Sequence, residues 1–483
     1  MDENVHDDYS NNQTMSHVSF VSGHGGTSRL EIFWLSFCLP LGVLARNLAI
    51  PWLFPTKNFS NASVCEKWLK LLLDYALLVL PTLLSFTLYS DRAPVILTVL
   101  CLVSLSLLLF CLCEYFYLYR EKPALKDVLN STVVERERPY FITYTRASIL
   151  VMTSIAILAV DFPVFPRRFA KADTYGYGLM DLGVGGFVVV HAITAPEISP
   201  YRNMRSSMEL LKSLPLFLMG LARVAMVKMS GYHEVVTEYG VHWNFFFTLA
   251  SIKVLSVCLS LLFPLRQTCG ILGLILALSY QWCLSSAGLS HYVISSKAEG
   301  GDRVGLFRAN REGLISLLGY MALYLISLQL GVFLRKRRRR LREWFGLWFA
   351  CLLLTICWSL VQCFCDIWVE SASRRLANLT YIFWVFCLTL QLLTCFLFVE
   401  VLVLFGTASS WPLFSYGPDA FALLKPCVLE RVNARALSHF VLANLLTGGV
   451  NSALSNARHT PDDIALAILC GYSFLVSALV FFV

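Results

Sequence analysis

Asp161 and Lys171 stand ten residues apart in ILAVDFPVFPRRFAKADTYGYGLMDLGVGGF (157–187), with Pro163 and Pro166 between them. Proline interrupts a helix and removes N–H donors, so the chain can fold back there and set a carboxylate beside an ammonium. Kept from water, such a pair can do acid–base chemistry. The carboxylate takes a proton from a hydroxyl, while the lysine steadies an oxyanion, holds a phosphate or, once desolvated, acts as the base itself. Arg167 and Arg168 follow the second proline and present the forked guanidinium that suits phosphate. Asp181 lies just inside the next apolar run, where an ionisable group ordinarily faces protein or a cavity. Gly183, Gly185 and Gly186 after it permit close helix packing. A plainer reading exists for each: an interfacial aspartate, a snorkelling lysine, arginines anchored to lipid headgroups, glycines that serve packing alone. On spacing alone the plainer reading of Asp161 and Lys171 is the stronger one.

Three other stretches carry polar residues at span ends. In HEVVTEYGVHWNFF (233–246), Glu238 and His242 are four apart and share a face if the helix starts early enough, with His242 a candidate base and Asn244 beside it. A hydrogen-bonded helix entry with Trp243 in an aromatic belt fits equally well. In FRANREG (307–313), Asn310 reads as an N-cap and Glu312 as a favourable first-turn acid, whereas Arg311 opposes the helix dipole and is left over. Arg374, Arg375 and Asn378 precede one span, and Asn444, Thr447 and Asn451 lie within another, where interhelical hydrogen bonds are the default use of amides. Arg46, Asp74, Arg223, Lys253 and Glu400 are further intramembrane charges that can pair across helices. No GxSxG, Walker loop or HExxH occurs, which favours direct transfer between bound substrates over a covalent enzyme intermediate.

The elements that must position these residues are apolar. The chain of 483 residues is 57% hydrophobic and only 14% charged, with a mean hydropathy of +0.65, against roughly 25% charged for soluble domains. At about 20 apolar residues per bilayer crossing, about thirteen candidate spans follow. They lie near 30–54, 70–90, 93–116, 145–162, 179–196, 207–227, 241–264, 268–288, 312–334, 343–365, 380–405, 437–456 and 462–483. The fold class is therefore all-α: a polytopic membrane protein of about 13 transmembrane helices in one bundle. Residues 29–483 read as a single multi-pass domain, and the polar, acidic stretch 1–28 reads as a disordered tail without a secretory signal. The net charge of +8 mostly reflects loop bases, and nucleic acid is not an expected partner. The 16 cysteines fall mainly in apolar runs, where they act as small hydrophobes and imply neither a disulfide framework nor a metal site.

Basic residues stay cytosolic, and the densest cluster, Arg335 to Arg340 with Arg342, sets an orientation with the N-terminus lumenal and the C-terminus cytosolic. The sequons at Asn58, Asn61 and Asn130 oppose that orientation, while those at Asn12 and Asn378 agree with it. On the lumenal side it gathers 161–178, 233–246, 307–313 and 373–379, either as one shared site or as four separate helix boundaries.

These polar stretches carry a resemblance. ILAVDFPVFPRRFAKADTYGYGLMDLGVG (157–185) is similar to the signature of the PIG-W family, the inositol acyltransferases of GPI-anchor biosynthesis, also called GPI-anchored wall transfer proteins. RPYFITYTR (138–146), TEYGVHWNFF (237–246), ANREG (309–313), SRRLANLTYIFW (373–384) and FVLANLLTGGVN (440–451) extend it in order along the chain. The tail and the 335–340 cluster lie outside the pattern. The resemblance implies a multi-pass endoplasmic-reticulum membrane enzyme that moves a fatty acyl chain, typically palmitoyl. The donor is acyl-CoA, a co-substrate rather than a cofactor, and the acceptor is the inositol 2-hydroxyl of glucosaminyl-phosphatidylinositol. It also implies a reaction centre at Asp161 and Lys171. On the chemistry of the residues, Asp161 is assigned as base and Lys171 as steadying Asp161 and the oxyanion, with Lys171 and His242 the alternative proton acceptors. Arg167, Arg168, Asp181, Glu238, His242, Asn244, Asn310, Arg311 and Asn444 form the expected substrate-binding set, with membrane lipid as the surroundings and no metal. Attack of an alcohol on a thioester needs proton removal, alignment and oxyanion stabilisation, and no metal. One tension stands: acyl-CoA is cytosolic, while the expected centre is lumen-proximal. The rival reading is a lipid or solute transporter or flippase, which would also use intramembrane charges and broken helices. The lack of an internal repeat counts against it.

Overall fold

Backbone N–H and C=O groups find no water in hydrocarbon, so apolar runs of lipid length must satisfy them internally as helices. The computed structural model describes residues 20, 23–54, 63–118, 125–131, 139–198, 206–230, 238–294, 305–409, 424–454 and 457–482. In chain order its long helical segments are α1 (Arg29–Leu53), α2 (Val64–Phe86), α3 (Ser90–Tyr117), α4 (Tyr140–Ala159), α5 (Leu179–Ile198), α6 (Leu214–Ser230), α7 (Phe245–Leu262), α8 (Leu265–Ser286), α9 (Arg311–Leu334), α10 (Leu341–Trp368), α11 (Leu379–Ala408), α12 (Ala436–Ala453) and α13 (Asp462–Phe482). Among the described residues there is no strand, only two isolated β-bridges. Eleven of these segments are long and apolar enough to cross a membrane. The other two expected spans are helices as well, but α6 has 17 residues and α12 carries Asn444, Thr447 and Asn451 among its 18. The protein is an all-α, multi-pass membrane protein.

By internal contacts the chain divides into two compact units: Met1–Ser28, Arg167–Lys336 and Cys357–Thr389 form the first, and Arg29–Pro166, Arg337–Ile356 and Leu390–Val483 the second. In the first unit α9 packs on α5 and α8. A Cβ at Gly331 would meet the Ile193 backbone at 2.9 Å, and one at Gly273 the Ile326 nitrogen at 2.8 Å. That is the close approach small residues allow between membrane helices. Lys253 of α7 is buried there against Glu197, with Nζ 2.7 Å from Oε1, and lies 3.4 Å from Glu209. Arg223 is exposed on α6. Most of the polar tail lies outside the described residues, but its end does not: His24 bridges Ala172 and Thr27 bridges Tyr177. The sequons at Asn12, Asn58 and Asn61 also lie outside. Asn378 is fully buried, a position no glycan can reach.

In the second unit α1 packs on α2 and α3, and a Cβ at Gly42 would run into the Leu77 carbonyl. Two fully buried charges meet here, Arg46 of α1 and Asp74 of α2. Their remaining valences are also met: Arg46 Nη2 donates to Pro426 O at 2.8 Å and Nη1 to Asn47 Oδ1 at 3.2 Å, while Asp74 Oδ2 accepts from Val428 N at 2.7 Å. Glu400 of α11 accepts from Phe141 N at 2.7 Å, where α4 begins. A helix start left without a partner is costly in a membrane, and this carboxylate supplies one.

Breaking the Arg46–Asp74 pair from one side strands a buried charge, a loss on the order of 3–5 kcal/mol. Arg46→Met or Asp74→Asn is therefore expected to lower the apparent melting temperature in detergent sharply. The double variant Arg46→Met/Asp74→Met is expected to recover most of it, and equal losses in all three would count against the pairing.

Candidate active site

In the first unit the loop after Pro166 opens with a short turn, Arg167–Phe169, that buries Phe169. The loop then folds back on itself around two glycines. Gly176 takes φ +139°, a region that disfavours any side chain, and its N–H donates to Ala372 O at 2.9 Å. Gly178 has no room for a Cβ, which would meet Asp181 Oδ2 at 2.6 Å and the Ala170 carbonyl closer still. This closeness lets Asp181 act as the loop's anchor. Its Oδ2 accepts from Ala172 N and Gly178 N, both at 3.0 Å, and its own carbonyl accepts from Tyr381 OH at 2.8 Å.

Asp181 Oδ1 receives Arg374 Nε at 2.7 Å, and from there the charges alternate. Arg374 Nη2 lies 3.9 Å from Glu238 Oε1, and Lys171 Nζ lies 2.8 Å from both oxygens of Glu238. Burial alone would raise the Glu238 carboxyl, but the Lys171 and Arg374 cations outweigh it and hold it down at about 2. Burial would lower Arg374, yet Glu238 and Asp181 together hold it well above its ordinary value. Tyr239, beneath the Arg374 guanidinium at 5.9 Å, is raised by burial. Asn378 keeps the arginine's loop in place: its Oδ1 accepts from Ser373 N and Tyr381 N, and its Nδ2 donates to Ser371 O.

The other expected site residues are placed as follows. Arg167 stacks on Phe20 with its guanidinium 4.1 Å from the ring, and donates to the Phe20 carbonyl at 3.2 Å; Arg168 lies over Phe169 at 4.9 Å. The α7 helix begins only at Phe245, so Glu238 and His242 share no helical face, contrary to the spacing argument. Asn244 is that helix's N-cap: its Oδ1 accepts from Phe246 N and Phe247 N, and its Nδ2 donates to Gly220 O, which commits the amide to structure. Asn310 precedes α9 but its side chain caps nothing there. Gly240 (φ +106°) turns the chain so that Tyr239 O accepts from Gly313 N at 3.0 Å, which satisfies the first turn of α9 from outside. Asn310 Oδ1 is thereby released to accept from His242 N at 2.8 Å and Trp243 N at 2.9 Å. Arg311 is buried, 3.8 Å from Glu312 and 5.2 Å from the Tyr292 ring. Glu312, fully buried, also lies 3.7 Å from Arg375.

In the second unit Asp161 lies in the turn two residues beyond the end of α4, 7% exposed, and its Oδ2 accepts from Asn451 Nδ2 at 2.8 Å. Asn451 belongs to α12. The expected amide on that helix, Asn444, is exposed and donates to its own Phe440 carbonyl at 2.7 Å, so Asn451 is the α12 amide that meets Asp161. Asp161 and Lys171 fall in different units, and in its own unit each has a partner that spacing did not reveal. Arg374 was visible in sequence only as one of two arginines before a span. Its tie to Asp181, 193 positions away, leaves no local trace.

The fold defines the class: an all-α, multi-pass membrane protein in which the loop after Pro166 joins a row of paired charges. More closely, the GWT1 family model matches residues 13–483, and the chain belongs to that family. It is 33% identical over 486 residues to the Bos taurus protein named glucosaminyl-phosphatidylinositol-acyltransferase PIGW, covering 94% of this chain and 95% of the bovine one. The Homo sapiens protein of the same name is 32% identical, with the same coverage of each chain. The Aspergillus fumigatus protein named GPI-anchored wall transfer protein 1 is 32% identical over 489 residues, 95% of each chain.

Because the folded state holds the Glu238 carboxyl at about 2, below its unfolded value near 4.3, its contribution is present above the unfolded value. It is lost as pH falls through the folded one. The contribution is on the order of 3 kcal/mol. Melting temperatures measured from pH 7 to pH 3 are expected to fall less steeply for Glu238→Gln than for the wild type. Parallel curves would remove Glu238 from the acid response.

Proposed function

We propose that this protein is an acyl-CoA-dependent O-acyltransferase that adds a fatty acyl chain, palmitoyl in type, to the inositol 2-hydroxyl of glucosaminyl-phosphatidylinositol. Its membrane is that of the endoplasmic reticulum, with the N-terminus lumenal and the C-terminus cytosolic. The observation that carries the reading is the family match over residues 13–483, with relatives aligned over 94% of this chain that are named glucosaminyl-phosphatidylinositol-acyltransferase.

The residues support the chemistry. Asp161 accepts the proton of the inositol hydroxyl, with Asn451 orienting its carboxylate. The alkoxide oxygen attacks the thioester carbonyl carbon, and the oxyanion that forms is steadied by the Lys171 ammonium. The C–S bond then breaks, the ester remains on inositol, and CoA leaves as thiolate and takes up the proton. Positioning, proton removal and oxyanion stabilisation suffice for this transfer.

General-base contributions are commonly about 10²- to 10⁴-fold, so Asp161→Asn is expected to remove inositol acylation by at least about 100-fold while the protein still inserts. Lys171→Ala is expected to do the same. The measurement is incorporation of labelled acyl chain from acyl-CoA into glucosaminyl-phosphatidylinositol by the purified protein. Near-normal incorporation by either variant would remove that residue from the reaction centre. A wild-type protein that incorporates no label, yet moves lipid between leaflets of a vesicle, would replace the enzyme with a flippase.

A further inference from the structure

The sequence pattern groups Glu238 with residues that hold substrate. Its surroundings give it another task. Both carboxylate oxygens lie 2.8 Å from Lys171 Nζ, and Arg374 stands behind it with Nη2 at 3.9 Å. Arg374 is buried and bound to Asp181 through Nε at 2.7 Å. Asp181 Oδ2 in turn holds the N–H of Ala172, the residue after Lys171, at 3.0 Å. The path closes on itself: ammonium to Glu238, to Arg374, to Asp181, and back to the backbone beside the same lysine.

We propose that Glu238 is a positioning residue for Lys171, fixed from behind by Arg374 and Asp181, and not a substrate-binding group; this rests on reading Lys171 as part of the reaction centre. A lysine ammonium on four methylenes has many rotamers and aims at nothing by itself. A symmetric acceptor, two oxygens at equal distance, narrows that freedom to one direction. The acceptor must itself be rigid. Glu238 is restrained because Arg374 Nη2 also lies 3.9 Å from its Oε1, and Arg374 is held because Asp181 takes its Nε while Tyr320 OH donates to its carbonyl at 3.3 Å. Gly178 keeps the space that Asp181 Oδ2 occupies. With Glu238 removed, Arg374 and Lys171 would face each other as like charges, and the ammonium would swing away.

Displacement of a reacting group by an ångström can cost about 10²-fold in rate. Glu238→Gln is therefore expected to lower kcat for acyl transfer by about 10- to 100-fold while KM for both substrates stays within about twofold. Glu238→Asp, which keeps the charge, restores part of it. In a Lys171→Gln background, Glu238→Gln is expected to add no further loss, because its effect runs through the lysine. Arg374→Lys, with the charge kept and the fork lost, gives the same pattern more weakly. A second readout needs no turnover: modification of Lys171 by an amine-reactive ester, followed by mass spectrometry, is expected to be faster in Glu238→Gln than in wild type, in protein that elutes as folded. A raised KM with kcat unchanged would make Glu238 a binding group and overturn the proposal. So would a full multiplicative loss on Lys171→Gln, or unaltered Lys171 labelling. Wild-type protein without acyl transfer would sink the functional reading alone, and the labelling arm would still decide the positioning.

Discussion

A charge taken out of water needs an opposite charge or hydrogen-bond donors and acceptors inside the protein, and this constraint organises the buried charges described above. The idealised cost of moving an ion into a low-dielectric medium is on the order of 20 kcal/mol, reduced in proteins to several. The first unit answers with a row of alternating signs, Asp181, Arg374, Glu238 and Lys171. The second answers with the fully buried pair Arg46 and Asp74, each completed by backbone groups. A row differs from a pair in one respect: an interior member is held by two neighbours of the same sign. Loss of such a member turns attraction into repulsion, so the row is strict about composition and geometry together.

Buried loops impose a second demand, since each N–H and C=O away from water needs a partner. Side-chain amides supply many of them. Asn378 closes the loop that carries Arg374, Asn244 starts α7, and Asn310 ties residues 242–243 to the entrance of α9. All three amides, two of them (Asn244 and Asn310) expected at the substrate, thus spend hydrogen bonds on backbone. The charged groups they support are thereby held without contacting them.

How far this was legible in sequence follows from the range of each interaction. Apolar runs of lipid length are local, and helices occur at every expected position. Positions of buried charge are also local: Arg46, Asp74, Lys253 and Asp181 each stand out against apolar neighbours. Partners are not local. Lys171 and Glu238 are 67 positions apart and Arg374 and Asp181 193, and no periodicity links them. Where the sequence reading went astray, an unseen neighbour had intervened. Tyr239 O, brought in by Gly240, removed the need for a cap at Asn310. The late start of α7 undid the shared face of Glu238 and His242. On α12 the amide that meets Asp161 is Asn451, a pairing 290 positions apart in sequence that composition does not show.

The partners also narrow which carboxylate can take a proton from an alcohol. A general base needs a free lone pair and a proton affinity near the working pH. Asp181 gives one oxygen to a guanidinium and the other to two backbone N–H groups, and a substrate hydroxyl would have to displace one of them. Glu238 is held at about 2 by two cations, far too weak an acceptor near neutrality. Asp161 differs in the partner its Oδ2 receives, the neutral amide of Asn451. The chemistry of the partners, more than the acids themselves, commits Asp181 and Glu238 to holding the loop in shape.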